Sequence, residues 1–342
     1  MAGPEQTRAM VAETAARLFA AQEDDALAAA ETGEWPSALW DAITENGLDR
    51  VLVPEAQGGF GGGWEDACEI LLAAGRYAAP VPLAETVAAS WLLGRAGLHM
   101  PEGILTLADG DAVSLRDGKA SGTLLRVPWG ASATRLVAQA VDDQPDVVAV
   151  FSPVGGKAAA DRNIGRDPRD TLLIDALKAE AGPGGSVMAA GALARACQMA
   201  GAVARVLDMT VAYANERGQF GRPIGKFQAI QQQLAALAGE TAAANMAARM
   251  ACRALDRGAD GFAEVATAKI RAGEAAGRAA AIAHQVHGAI GFTDEHRLHH
   301  LTRRLWSWRA EFGTESVWAG HLGRLVAARG ADSLWPVLTG GS

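Results

Sequence analysis

The stretch ERGQFGRPIGKFQ, residues 216–228, gathers Arg217, Arg222 and Lys226 around Gly221, Pro223 and Gly225. An arginine fork beside backbone N–H groups at a helix start is suited to gripping phosphate oxygens. The spacing is not that of a Walker loop, because Gly221 and Gly225 stand one residue too close and Phe227 replaces the required Ser or Thr. The same residues also suit a plain basic turn between two helices, its charges favouring the preceding C-terminus.

A second stretch, HQVHGAIGFTDEHRLHH (284–300), ends a helical pattern in a glycine bend. Gln285 can both donate and accept hydrogen bonds, and Gly288 permits close backbone approach to a ligand. The five histidines 284, 287, 296, 299 and 300 include pairs spaced to share a helix face, but no ExxH motif accompanies them, so no metal is expected. A third stretch, RAEFGTES (309–316), offers Glu311 as a carboxylate for proton transfer. Cys68, Cys197 and Cys252 are odd in number and lack CxxC spacing, so their sequence implies neither a disulfide framework nor a zinc site.

These stretches need helices to hold them. Of the 342 residues, 49% are hydrophobic, much of that share being alanine, which favours closely packed helices. Helical patterns are expected at about 5–22, 36–47, 64–77 and 84–97, with VPEAQGGFGGG (53–63) as a mobile loop. From about 103 to 180, short β-branched runs separated by Gly and Asp read as a small antiparallel β unit. From Ser186 the 3.6-residue period returns, with helices near 225–256, 261–287 and 295–309 and another from 314, read together as a four-helix bundle. The formal charge of −8 argues against nucleic-acid binding. The N-terminus lacks the pattern of an export signal, no membrane-spanning run is expected, and isolated cysteines suit a reducing cytoplasm.

Together the motifs VPEAQGGFG, RGQFGRPIGKFQAIQ, QVHGAIGF and FGTES, in this order, resemble the acyl-CoA dehydrogenase family over nearly the whole chain. The resemblance implies a mostly α fold: an N-terminal helical domain (1–102), a small middle β domain (103–183) and a C-terminal helical bundle (184–342). It implies a flavin enzyme that removes hydrogens from the α and β carbons of an acyl-CoA thioester, with FAD held largely across a subunit boundary. In family terms Arg217, Phe220, Gln228, Gln285 and Gly288 would contact FAD, with Ala289 where a second glycine is usual.

Two departures accompany the resemblance. The base is commonly a Glu immediately before Gly-Thr, and here that residue is Phe312; a second family solution lies twenty-six residues before Arg217, and here that residue is Gly191. No T-E-P-x-x-G-S-D-like flavin loop occurs between 103 and 180. The catalytic residue is therefore left unassigned. The leading expectation is a subunit whose homologous partner supplies the Glu in a heterotetramer, of the shortened kind used on bulky acyl groups such as steroid side chains. The rivals are a self-associating enzyme using Glu311 and a non-catalytic scaffold. An electron-transfer flavoprotein is a further possible partner.

Overall fold

The computed structural model describes residues 4–141, 146–330, 332 and 335–336. The chain opens with four helices, α1 (Pro4–Thr32), α2 (Ser37–Glu45), α3 (Trp64–Arg76) and α4 (Leu83–Arg95). α1 runs ten residues past the expected end at 22, because no Gly or Pro interrupts it before Gly33 and its acidic Glu23 and Asp24 both pair with Arg297. The glycine loop 53–63 is knitted to itself: Phe60, Gly61 and Gly62 donate to the carbonyls of Arg50, Val53 and Val51. Its N–H groups are consumed internally, so no phosphate cradle forms there.

Strands β1 (Leu105–Arg116), β2 (Lys119–Pro128), β3 (Arg135–Val141), β4 (Val147–Phe151), β5 (Lys157–Ala159) and β6 (Arg169–Pro183) follow. The order is β2-β1-β3-β4-β6-β5, and β2 also pairs with β6, so the sheet closes on itself around Val113, Leu124, Leu136 and Phe151. The expected antiparallel unit is in fact mixed, since β1 runs parallel to β3 while its other neighbour, β2, returns antiparallel through a tight turn.

The third segment is α5 (Val187–Glu216), α6 (Gln228–Asp256), α7 (Phe262–His287), α8 (Leu298–Ala310) and α9 (Glu315–Arg329). α5 is capped at its start by Ser186, whose Oγ accepts from the Ala189 N–H at 3.1 Å. It is apolar enough to cross a membrane, yet most of it is buried against α3, α4, α6, α7 and α8. One hydrophobic core therefore runs unbroken from α1 to α9, and the β unit keeps a core of its own.

α5 crosses α3 with backbones in contact. A Cβ built on Gly201 would stand 1.9 Å from the Leu72 carbonyl oxygen, and one on Gly75 would stand 1.8 Å from that of Gln198. Backbone cannot swing aside as a flexible side chain can, so a methyl group here forces the two helices apart. Gly201→Ala is expected to lower unfolding free energy by about 3 kcal/mol, the upper range for overpacking, read from the urea midpoint. Gly239→Ala, in α6 with nothing within 4 Å of its Cβ position, should not lower it.

Candidate active site

Between α5 and α6 the chain turns through a hairpin, β7 (Gly218–Gln219) paired with β8 (Arg222–Pro223). The two residues at its tip, Phe220 and Gly221, have φ of 52° and 80°, the left-handed pair of a type I′ turn. Glycine adopts this freely, but phenylalanine does so only under strain. The Phe220 ring is nevertheless 91% exposed. It meets the Phe227 ring edge-on at 6.1 Å between centroids.

Behind the hairpin lies a groove of about 430 Å³ whose lining includes Tyr213, Arg217, Phe220, Gln285, His287 and Gly288. Four of the five expected cofactor residues thus share one surface. The fifth, Gln228, opens α6 beside Phe227 and is exposed without lining the groove. The Arg217 side chain has no partner among the described residues, whereas Arg222 is stacked 4.3 Å over Phe227. Gly288 ends α7 with φ 64° and ψ −142°, a region open to glycine alone, and its Cβ position faces empty space. Sequence reasoning missed Tyr213, which walls the groove by stacking on His287 at 4.5 Å and donating to the His287 carbonyl at 3.2 Å. Its position one helical turn before Arg217 was the available signal. The free guanidinium, the adjacent apolar rings and the open glycine suit a dinucleotide that is anionic at its pyrophosphate and flat at its ends.

The histidines pack against neighbouring rings. His284 stacks on Phe292 at 4.3 Å, and His296 meets His287 edge-on at 4.7 Å. Glu31, His299 and His300 do approach one another, but Arg166 and Arg303 already hold Glu31. Burial, reinforced by the neighbouring His299 and arginines, pushes His300 down to about 3.

The turn 311–313 separates the three candidate positions for a base. Glu311 is buried: its Oε1 accepts from Arg169 Nε at 2.8 Å and Asn163 Nδ2 at 3.2 Å, and its Oε2 accepts from Arg195 Nε at 2.8 Å. Arg195 is bound in turn by Glu85 and by Gln198 Oε1 at 2.5 Å. Burial alone would raise the Glu311 carboxyl, but the two guanidiniums more than reverse this and hold it at about 2. A carboxylate so acidic and so fully paired is a poor proton acceptor.

Phe312 turns the other way, with φ of 53°, and its ring is 1% exposed. It lies over Gly191: a Cβ there would stand 2.2 Å from Phe312 Cδ1. The two positions that the family resemblance offers for the base therefore touch, one supplying a ring and the other the room for it. The gap left among Glu85, Leu107, Gly191, Arg195 and Phe312 has no volume that a water could occupy.

Residues 5–99 match the acyl-CoA dehydrogenase N-terminal domain, and residues 185–327 match the acyl-CoA dehydrogenase C-terminal domain. The chain is 31% identical over 310 residues to acyl-CoA dehydrogenase IpdE2 of Mycobacterium tuberculosis (strain ATCC 25618 / H37Rv), covering 88% of this chain and 91% of that protein. It belongs to the acyl-CoA dehydrogenase family. Its fold is similar to that of the Tcur3481-Tcur3483 steroid ACAD G363A variant, with TM-score 0.88, 27% identity and coverage of 96% and 99%. The ChsE4-ChsE5 complex from Mycobacterium tuberculosis shares the fold at TM-score 0.85 and 24% identity, with coverage of 96% and 98%. The expected mostly α architecture, the FAD dependence and the class of oxidoreductase acting on CH–CH bonds are those of this family.

The pairing of Glu311 has a pH signature. Its carboxyl titrates near the ordinary 4.5 when unfolded and near 2 when folded, so its contribution is complete above about 4.5 and disappears as pH falls through 2. Glu311→Gln is expected to cost about 3–5 kcal/mol at pH 7, since it takes the carboxylate from buried Arg169 and leaves Arg195 to Glu85. The gap between parent and variant in urea unfolding should narrow steadily below pH 4.5. A gap that stays constant down to pH 2 would show that Glu311 is not ion-paired in the folded chain.

Proposed function

We propose that this chain is one subunit of a hetero-oligomeric acyl-CoA dehydrogenase, and that a homologous partner subunit supplies the carboxylate that takes the substrate α-proton. The observation that carries the reading is the contact of Phe312 with Gly191. Both family positions for a base are apolar here, they fill each other's space, and the neighbouring Glu311 is bound to two arginines. At these two positions there is neither a carboxylate nor room for a thioester, which supports a base supplied from elsewhere.

What the chain retains is the groove behind the hairpin. In the proposed assembly Arg217 binds the FAD pyrophosphate through charge-assisted hydrogen bonds, and Gln285 and the Gly288 backbone hold the adjoining portion. Gln228 is assigned to the same cofactor through the start of α6. Phe220 lies against the partner, where burying its exposed ring offsets the strain of its backbone. Bound there, FAD supplies the acceptor for the substrate β-hydride. The outer face of α6, with Met246 and Met250 more than half exposed, forms part of the surface between subunits.

The substrate is read as a CoA thioester of a bulky acid such as a steroid side chain, on the likeness to the steroid enzyme named above. Reoxidation by an electron-transfer flavoprotein and a cytoplasmic location complete the proposal, with residues 1–102, 103–183 and 184–342 as the three units of the subunit.

The test is co-expression with a homologous acyl-CoA dehydrogenase subunit, followed by FAD content and anaerobic flavin bleaching with a panel of acyl-CoA thioesters. Arg217→Ala should weaken FAD binding on the order of 10-fold to 100-fold, the equivalent of a charge-assisted hydrogen bond worth ~1.5–3 kcal/mol, with little change in unfolding temperature. Glu→Gln at the partner's base should slow bleaching by about 10²–10⁴. A yellow, active homo-oligomer of this chain alone would defeat the reading. An assembled complex without flavin would favour a scaffold.

A further inference from the structure

The three cysteines that look unrelated in sequence converge in space. Cys68 lies on α3, Cys197 on α5 and Cys252 on α6, each no more than 1% exposed. The sulfurs of Cys197 and Cys252 are 3.7 Å apart, and all three lie within 4.8 Å of one another. The glycine crossing produces this: Cys68 stands one turn before Leu72 and Cys197 one turn before Gly201, the two residues whose backbones touch. The contact that closes α3 onto α5 also brings the thiols together.

Three sulfurs on three rigid helices offer soft donors at fixed positions. A centre bonded to sulfur at about 2.3 Å, with angles of about 100–120°, needs sulfurs separated by about 3.5–4.0 Å. The observed spacing meets that with sub-ångström adjustment. No His, Asp or Glu among the described residues joins the cluster, so the coordination number is three.

Charge then selects the occupant. A dication bound by three thiolates would carry a net negative charge in the core, and the nearby Arg249 is already committed to Glu69, with Nη2 donating to Oε2 at 3.0 Å. Burying an uncompensated charge is costly. A trivalent centre with three thiolates is neutral.

We propose that Cys68, Cys197 and Cys252 form a buried three-thiol site for a trivalent thiophilic centre, arsenous acid being its simplest form. Three As–O bonds break and three As–S bonds form. Each thiol proton leaves with a hydroxide as water, and no electrons are transferred. The adduct pins α3, α5 and α6 together. Because the thiols are buried, it forms through transient opening of the crossing and is slow.

The experiment incubates the reduced, folded full-length chain with sodium arsenite until no further change occurs, and then takes a native mass spectrum. The expected product carries one arsenic and has lost three hydrogens, with a matching rise in near-ultraviolet absorbance. Cys68→Ala, Cys197→Ala and Cys252→Ala should each weaken binding at least tenfold. Zinc and cadmium, in parallel titrations, should bind more weakly than arsenite. The proposal is overturned by the absence of an adduct, by a two-thiol adduct that retains a hydroxyl, by tighter binding of either dication, or by indifference to any one cysteine. Should a variant fail to fold, the hydrogen count of the parent adduct still decides between three thiols and two.

Discussion

Arg195 is a guanidinium 1% exposed, about a third of the way along the longest helix of the described residues, and two acids from other elements keep its charge compensated. Glu85 comes to it from α4, and Glu311 comes from the turn after α8. Glu311 in turn holds Arg169, the first residue of β6. The N-terminal helices, the closed sheet, the bundle and the C-terminal turn therefore meet in one balanced quartet of two acids and two bases. Removing either acid leaves the buried group with an uncompensated positive charge, which costs more than the pairing itself contributes. The quartet thus fixes how the segments sit together more than it adds net stability.

The same quartet also sets where the side chain of Phe312 goes. With Glu311 anchored inward on both oxygens, the next residue leaves in the left-handed conformation and directs its side chain at α5. That residue is Phe312, and α5 presents Gly191. A carboxylate at 312 would lie close to Glu311 and Glu85, where like charges raise one another's pKa. A ring there has no such penalty and fills the space completely.

The helical part of the fold was legible because its signals are local. The 3.6-residue period from Ser186 and the break around Gly221 are readable in a short window, and RGQFG and QVHGAIGF stand out as motifs that the structure places on one groove. What stayed hidden depends on residues far apart in sequence. Nothing near Glu311 announces Arg169 and Arg195, and nothing near Gly191 announces Phe312. The parallel pairing of β1 with β3 follows from closure of the sheet, which alternation within a strand cannot show. The thiol cluster required knowing that Gly75 and Gly201 face each other's helix.

Phe220-Gly221 and Phe312-Gly313 are the same dipeptide in nearly the same backbone conformation, with φ of 52° and 80° in one and 53° and 86° in the other. Their rings have opposite fates, 91% exposed against 1% exposed. Each phenylalanine incurs the left-handed strain of about 1–2 kcal/mol. For Phe312 the compensation is visible, since burial of an aromatic ring in a fitted site outweighs it. For Phe220 the visible contact is edge-on with Phe227 at 6.1 Å, and in the proposed assembly burial against the partner would add to it. The inward ring fills the space over Gly191, and the outward ring stands at the groove lined by Arg217 and Gly288. Under the proposed assembly the same strained dipeptide would serve the interior in one place and a subunit contact in the other.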